Sequence, residues 1–265
     1  MKPARFDLAR PASLAEAMRL LATERLEARV LAGGQSLGPM LNLRIAQPDL
    51  LVQVTHLLEL SRVGDAPAAV TIGAAVTHAA IAAGHVPDIG HDVLARVASR
   101  IAYHAIRTRG TIGGSLCHAD PAADWPTALT ALDAAALLQS PAGARRVPIA
   151  ALFAGPFATI LARGEILTGV TIPRLAPGAG FALVKACRKP GEFAHAMAAA
   201  LLARGKKRLV IGATGNRPLL LEGEAASIAG ARAALAASAE LDAVGRHMAL
   251  AVAGRALAEA AACAA

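Results

Sequence analysis

The sequence predicts an α+β fold built from three lobes. Residues 1–57 place an amphipathic helix among short apolar strands, and residues 58–173 alternate further strands and helices. Residues 174–265 carry three strand-like segments followed by two helices. Strands are distinguished from helices by the period of their apolar residues, which is two in a half-buried strand and 3.6 in a helix. A chain of 265 residues is long enough to bury a core in one large domain or in two to three lobes.

The first lobe is predicted from its helix start. Ser13 and Glu16 have the spacing of a capping box, which predicts a helix that runs to about Glu24. Strands are expected near Phe6, over 28–32 and over 49–54, with a helical turn over 40–45.

The second lobe is predicted to contain strands over 70–74, 135–139 and 165–172. Thr77 is expected to cap a short helix, and residues 88–100 have helical spacing. Asp120 followed by Pro121 predicts a helix that begins at that point, because these residues favour the N-cap and the first helical position.

The third lobe is predicted to have strands over 180–188, 194–203 and 208–215 and helices over 223–237 and 241–262. Ala198–Ala200 is ambiguous between helix and strand, and we favour strand because a polar turn over 204–207 precedes Val210 and Ile211. The basic run Lys206–Arg208 is expected to be a solvated hairpin turn. The lobe is therefore a three-stranded antiparallel sheet with helices.

Two short loops carry the functional signal. Residues 32–36 (AGGQS) and 111–115 (TIGGS) each follow an apolar, strand-like run, ending at Leu31 and Ile112, and set a glycine pair beside a small hydroxyl residue. Paired glycines let main-chain N–H groups approach a ligand, and successive N–H groups form a concave anion site. Either loop alone is more often a plain tight turn. Two loops of the same pattern predict a diphosphate-containing ligand held from two sides.

The same loops exclude two common phosphate sites. Neither continues as the G-K-[S/T] of a Walker loop, and neither reads G-x-G-x-x-G, which disfavours a Rossmann site for NAD.

Longer segments around both loops resemble a known family. Residues 31–37 (LAGGQSL) and 106–124 (IRTRGTIGGSLCHADPAAD) are similar to the two FAD signatures of molybdenum hydroxylase medium subunits, the family of carbon monoxide dehydrogenase and xanthine dehydrogenase. The resemblance covers roughly residues 1–215. It implies a two-lobed, PCMH-type FAD-binding domain (1–57 and 58–173) followed by a C-terminal domain of an antiparallel sheet and helices (174–265).

The resemblance also implies which residues contact FAD. The motifs assign this role to Ala32, Gly33, Gly34, Gln35, Ser36, Leu37, Thr111, Ile112, Gly113, Gly114, Ser115, His118 and Asp124. Matching positions elsewhere add Ile101, Leu167, Lys185 and Phe193. Ile101 is assigned by position alone to the adenine or the isoalloxazine ring, and Asp124 to the adenosine ribose.

Some of these assignments have a structural alternative. From the residues alone, Asp124 is a first-turn acid that complements a helix dipole, Leu167 a core leucine and Lys185 a solvated edge charge. The family has asparagine more often at position 115 and often tyrosine at position 193. Ser115 therefore replaces an amide contact by a hydroxyl, and Phe193 lacks the hydroxyl that a proton relay would need.

Composition excludes several other classes. The net charge of +8 is scattered, and only 3% of residues are aromatic, which argues against nucleic acid binding. The 55% hydrophobic content is inflated by alanine, and the longest uncharged run, 147–162, is broken by Pro148 and Pro156, so no membrane insertion is expected. No signal peptide is apparent at the N-terminus, and a cytoplasmic location is expected.

Cysteine and histidine patterns predict no metal site in this chain. Cys117, Cys187 and Cys263 lie far apart and cannot supply the four thiolates of an iron–sulfur cluster. His104 and His118 flank the second loop without the spacing of a zinc site.

The resemblance implies an FAD-carrying electron-transfer subunit without a catalytic side chain of its own. The expected partners are a small subunit with [2Fe-2S] clusters and a large subunit with the molybdopterin cofactor, assembled as a dimer of heterotrimers. Electrons would pass from the clusters to FAD and then to an external acceptor, which is NAD, a quinone, a cytochrome or oxygen. The alternatives are a self-contained FAD oxidase and a scaffold subunit that has lost flavin.

Overall fold

The computed structural model describes residues 2–264 and begins with a small parallel sheet. Its elements are β1 (Asp7–Ala9), α1 (Leu14–Ala22), β2 (Ala28–Leu31), α2 (Leu37–Asn42) and β3 (Leu50–Gln53). The strand order is β1-β3-β2, and both pairings are parallel. Helix α1 covers one face of this sheet, and α2 packs at the other.

The capping box is confirmed at the start of α1. The Ser13 hydroxyl accepts a hydrogen bond from the Glu16 N–H, and the Glu16 carboxylate accepts one from the N–H of Ala12. The helix ends at Ala22, two residues before the predicted end. Its buried stripe, Leu14, Ala17, Met18 and Leu21, has the spacing of an amphipathic helix that packs on a sheet.

A five-stranded antiparallel sheet follows, with helices inserted between its strands. The strands that follow β3 are β4 (Val63–Asp65), β5 (Ala69–Gly73), β6 (Ala135–Ser140), β7 (Gly143–Pro148), β8 (Phe153–Gly155), β9 (Ala158–Thr159) and β10 (Ile166–Pro173). The sheet has the order β4-β5-β10-β6-β7, and β8 and β9 form a separate hairpin.

The helices between these strands carry the second loop and its surroundings. They are α3 (His78–Ala82), α4 (Val93–Ser99), α5 (His104–Arg107), α6 (Ile112–His118), α7 (Asp124–Ala131) and α8 (Ile149–Leu152). Thr77 caps α3 as predicted, since its hydroxyl accepts from the Ala80 N–H. Helix α7 is buried along its whole length, with Trp125 fully enclosed in the main core.

The C-terminal sheet has one strand more than the sequence predicts. Strands β11 (Gly180–Ala186), β12 (Ala196–Ala203), β13 (Lys206–Gly212) and β14 (Leu219–Glu222) are antiparallel in that order, and α9 (Ile228–Ala236) and α10 (Ala243–Ala264) complete the fold. Ala198–Ala200 lies in a strand, as favoured, and is fully inaccessible to solvent. Alanines of α10 pack against alanines of the sheet, so part of the alanine excess is buried between this helix and the sheet.

Two local expectations are wrong. The segment that begins at Asp120 is a turn in which the Asp120 carboxylate accepts from the Ala122 N–H, and helix α7 starts only at Asp124. The basic run Lys206–Arg208 belongs to β13 and is not a solvated turn, because Arg208 is buried and pairs with Asp133 and Glu222. The α+β fold class is confirmed by these elements, and the domain boundaries at 57 and 173 stay predictions.

Candidate functional site

The first glycine loop leaves a row of backbone donors free. It joins the end of β2 at Leu31 to the start of α2 at Leu37, and Gly34 has a φ of +70°, which an L side chain rarely adopts. Within the described chain, the N–H groups of residues 33–37 donate no hydrogen bond. The Gln35 side chain braces the loop by donating to the Gly33 carbonyl at 3.2 Å. Five adjacent free donors make a concave site for an anion.

The second loop has a different structure from the one predicted. Ile112 does not end a strand; it is the first residue of α6, so both glycines lie inside a helical first turn. The Thr111 hydroxyl caps this helix by accepting from the Gly114 N–H at 3.0 Å. The Gly113 N–H donates to Ala74, and the Ser115 N–H to the Thr111 carbonyl. The N–H groups of residues 112–115 are therefore already bonded within the chain, since that of Ile112 donates to the Val76 carbonyl.

The two loops touch each other, although 80 positions separate Gly33 from Gly113 in the sequence. A Cβ atom on Gly33 would overlap the carbonyl oxygen of Arg109 and lie 2.8 Å from the Cα of Gly110. A Cβ on Gly114 would lie 3.8 Å from that of Ala32. Glycine is required at position 33 because the backbone of Arg109 and Gly110, which precedes the second loop, fills the space that a side chain would need. The predicted juxtaposition of the two loops is therefore present.

A buried histidine supports the second loop from below. His78 begins α3, and its N–H donates to the Gly110 carbonyl at 2.9 Å. Its ring packs against Gly110, because a Cβ there would lie 2.9 Å from Cδ2 and 3.1 Å from Nε2 of His78. The Trp125 indole N–H donates to His78 Nδ1 at 3.1 Å, which requires that nitrogen to be unprotonated. Burial, aided by the Arg107 charge, lowers the pKa of His78 to about 4. The imidazole is consequently neutral at pH 7.

Asp124 and Lys185 form a buried ion pair. Lys185 Nζ lies 3.2 Å and 3.1 Å from the two carboxylate oxygens of Asp124, and neither side chain is more than 5% exposed. Burial raises the pKa of the Asp124 carboxyl, and the Lys185 charge opposes that rise. Asp124 is the first residue of α7, where a carboxylate complements the helix dipole. Lys185 is not the solvated edge charge of the structural alternative.

The other assigned residues lie at different depths. Ile101 forms a parallel bridge with Gly191, two residues before Phe193, whose side chain is 61% exposed. Leu167 is a buried core residue of β10. Its neighbour Thr168 accepts from the Ala74 N–H, and the Ala74 carbonyl accepts from Gly113, so β10 is tied to the second loop.

His118 ends helix α6 and contacts a residue that sequence reasoning missed. Its ring centroid is 5.2 Å from that of Phe157, in the turn between β8 and β9. His78 and Trp125 were also missed as supports of the loop. The Thr77 cap places His78 at a helix start, but nothing in the sequence indicates that its ring lies under Gly110.

Two classes of site find no support in the part of the chain that the structure describes. Across residues 2–264, no group of three or more His, Cys, Asp or Glu side chains is placed to hold a metal ion. Among the same residues, no helix is long and apolar enough to cross a membrane.

The residues of the first loop fit the diphosphate of FAD. The free N–H groups supply donors for its oxygens, and no atom lies within 4 Å of the space that a Cβ on Gly38 would fill.

Comparisons with known proteins identify an FAD-binding domain in this chain. Residues 4–175 match the family model described as FAD binding domain in molybdopterin dehydrogenase. The chain is 38% identical to 6-hydroxypseudooxynicotine dehydrogenase complex subunit alpha of Paenarthrobacter nicotinovorans, over 76% of this chain and 68% of that protein. It is 36% identical to the carbon monoxide dehydrogenase medium chain of Hydrogenophaga pseudoflava, over 76% and 70%.

Solved structures show the same relationship along the whole chain. Carbon monoxide dehydrogenase from Hydrogenophaga pseudoflava superimposes with a TM-score of 0.90 and 33% identity, covering 100% of both chains. Quinoline 2-oxidoreductase from Pseudomonas putida 86 gives a TM-score of 0.86 and 31% identity, covering 100% of this chain and 99% of that one. The chain therefore belongs to the family of FAD-binding medium subunits of molybdenum hydroxylases, and it is an oxidoreductase subunit whose cofactor is FAD.

Proposed function

We propose that this chain holds FAD between its two glycine loops and relays electrons from the iron–sulfur clusters of a partner subunit to an external acceptor. The observation that carries the proposal is the row of free N–H groups over residues 33–37, seated against the backbone of the second loop. Bound FAD would supply the redox chemistry, since its ring system takes up and releases electrons. The chain's own task is to bind, orient and shield it.

The first loop would bind the diphosphate through its backbone, with the Ser36 hydroxyl beside it. Ser36 is suited to this because its hydroxyl makes no capping bond to α2. The second loop would contribute packing and the Ser115 hydroxyl, since the N–H groups of residues 112–115 are occupied within the chain. Ala32, Gln35, Leu37, Thr111 and Ile112 would line the same crevice.

Asp124 and Lys185 would act together near the cofactor. A cation close to a reduced flavin favours its anionic form, and Asp124 fixes the Lys185 ammonium at hydrogen-bond distance. In the family the equivalent aspartate is assigned to the adenosine ribose. Lys185 contacts both Asp124 oxygens, and each oxygen has a second lone pair that can accept from a ribose hydroxyl, so the two roles are compatible.

The partner subunits are inferred from relatives, which are subunits of multi-subunit dehydrogenase complexes. We propose a small subunit with [2Fe-2S] clusters and a large subunit with the molybdopterin cofactor, arranged as a dimer of heterotrimers. The three cysteines of the sequence are fewer than the four thiolates of an iron–sulfur cluster, and for this reason we assign the clusters to the partners.

The test is purification of the native protein from its source. We expect one noncovalent FAD per chain, released by acid and identified by chromatography, and co-purification with a cysteine-rich small subunit and a much larger one, with iron and molybdenum present. The isolated chain should pass electrons from a reductant to a dye but should not oxidise an organic substrate. Turnover of such a substrate by the single chain at about 1 per second or faster would favour the self-contained oxidase. A chain that binds no FAD would favour the scaffold.

A further inference from the structure

Phe157 combines backbone strain with an exposed aromatic side chain. It lies in the turn between β8 and β9 with a φ of +55°, and its side chain is 60% exposed. The left-handed region is unfavourable for a residue with a Cβ, and burial of this mostly exposed ring offsets little of that strain. Strain of this kind persists where the surrounding structure enforces it, and it is concentrated at functional sites.

Helix α6 holds the strained turn in place. The Phe157 N–H donates to the carbonyl of Ala119 at 2.9 Å, and Ala119 is itself the left-handed C-cap of α6, with a φ of +52°. The Phe157 ring lies beside that of His118, at 5.2 Å between centroids and an interplanar angle of 54°. Two unusual backbone conformations are thus linked by one hydrogen bond, and together they fix an aromatic pair at the surface.

The aromatic pair lies on the same face of helix α6 as the second glycine loop. His118 follows Gly114 by four residues and Ser115 by three along the same helix, so these three residues share one helix face. One helical turn, about 5.4 Å, separates the glycine pair from the histidine. A ring system attached to a diphosphate between the loops is therefore within reach of His118 and Phe157.

We propose that His118 and Phe157 form a stacking platform for a ring system of FAD, with Phe157 offering its open face. This inference rests on the proposed position of the diphosphate between the glycine loops. Aromatic rings at such distances attract a planar heterocycle by offset or edge-to-face stacking. Such stacking is possible with either the adenine or the isoalloxazine of FAD. The strained turn would keep the Phe157 ring exposed for this contact.

The test separates the ring of Phe157 from the strain of its backbone. Phe157→Ala removes the ring and keeps a Cβ at positive φ, whereas Phe157→Gly removes the ring and relieves the strain. We expect both variants of the full-length apoprotein to bind FAD about 5- to 30-fold more weakly, as the loss of one stacking contact implies. We expect Phe157→Gly to melt above Phe157→Ala, and Phe157→Tyr to retain the affinity of the original protein.

Ile160→Ala is the matched control, because Ile160 follows the same hairpin, is 37% exposed and has an apolar side chain. It should leave the affinity for FAD unchanged. Titration with ADP identifies the ring system. If the adenine stacks here, the Phe157 variants lose affinity for ADP to the same degree; if the isoalloxazine does, only FAD is affected and the visible absorption band of the bound flavin shifts.

The outcomes separate this inference from the proposed site. An unmodified protein that fails to bind FAD or ADP would contradict the diphosphate site itself. If the unmodified protein binds FAD and Phe157→Gly binds it with the same affinity and the same spectrum, the platform is wrong while the loops retain their role.

Discussion

The two glycine loops have similar sequences and different structures. In the first, residues 33–37 keep their N–H groups free and Gly34 takes a left-handed conformation. In the second, Gly113 and Gly114 lie in the first turn of α6 and their N–H groups are bonded to Ala74 and Thr111. The same glycine pattern thus leaves backbone donors free for the proposed ligand in one loop and allows close packing in the other. Away from the point where the two loops touch, a mutation should therefore affect FAD affinity in the first loop and stability in the second.

The largest expected effect is at the point where the loops touch. Gly33→Ala would drive a Cβ into the Arg109 carbonyl, a backbone atom that cannot rotate away. We expect a loss of about 3 kcal/mol in unfolding free energy, the upper range for overpacking, together with loss of measurable FAD binding. Denaturant unfolding of the apoprotein and FAD titration measure the two effects.

Gly38→Ala is the control for that change, since a Cβ there meets no atom within 4 Å. It should leave the unfolding free energy near its original value. Equal behaviour of the two variants would mean that the loops are not packed as the structure places them.

Acidification should weaken the support of the second loop. The pKa of His78 is lowered from 6.5 to about 4 by burial, so the unfolded chain binds a proton between these values and the folded chain does not. His78 therefore contributes stability that is fully present above pH 6.5 and is lost as pH falls towards 4. The shift corresponds to about 3 kcal/mol. Unfolding free energies measured at several pH values between 7 and 4 would show this decline.

His78→Gln shows how much of this pH-dependent loss of stability is due to His78. The variant should show a shallower decline between pH 6.5 and pH 4 than the unmodified protein. Parallel pH curves would mean that the buried imidazole is not the group responsible.

A substitution at Gly34, the residue of the first loop with a positive φ, should have a smaller effect on stability and a large effect on FAD binding. Gly34→Val places a β-branched side chain at a φ of +70°, which strains the loop by about 1–3 kcal/mol. The side chain would also turn the free N–H groups away from the diphosphate. We expect FAD binding to be lost while the circular dichroism spectrum stays that of the folded chain. Flavin content like that of the unmodified protein would show that this loop is only a turn.

Sequence reasoning succeeded where local chemistry decides the structure. The Ser13 cap and the Thr77 cap depend on neighbouring residues, and the structure confirms both. A hairpin joins β12 to β13 as predicted, but its turn is only Arg204 and Gly205 instead of residues 204–207. It failed where tertiary contacts override a local signal. Asp120 and Pro121 have the chemistry of a helix start, yet the chain bonds them into a turn and starts α7 at Asp124.

The same limit applies within the candidate site. The motifs identify both glycine loops. They do not show that the second loop begins a helix and that the N–H groups of residues 112–115 are hydrogen-bonded within the chain. Arg208 looks like part of a solvated basic run, and only the fold brings Asp133 and Glu222 to it. The positive φ of Phe157 leaves no trace in the sequence, because a phenylalanine is the residue least expected there.

The smallest expected effects compare the hydroxyl groups of the two loops. Thr111→Val keeps the shape of a buried side chain but leaves the Gly114 N–H without its cap, which should cost about 1 kcal/mol in unfolding free energy. Ser36 makes no cap, so Ser36→Ala should leave the unfolding free energy unchanged and weaken FAD binding a few-fold through one lost hydrogen bond. Thermal unfolding of both apoproteins and FAD titration give the four values. The comparison of the loops requires opposite results in the two variants, so a stability loss in Ser36→Ala with none in Thr111→Val would reverse the roles assigned to them.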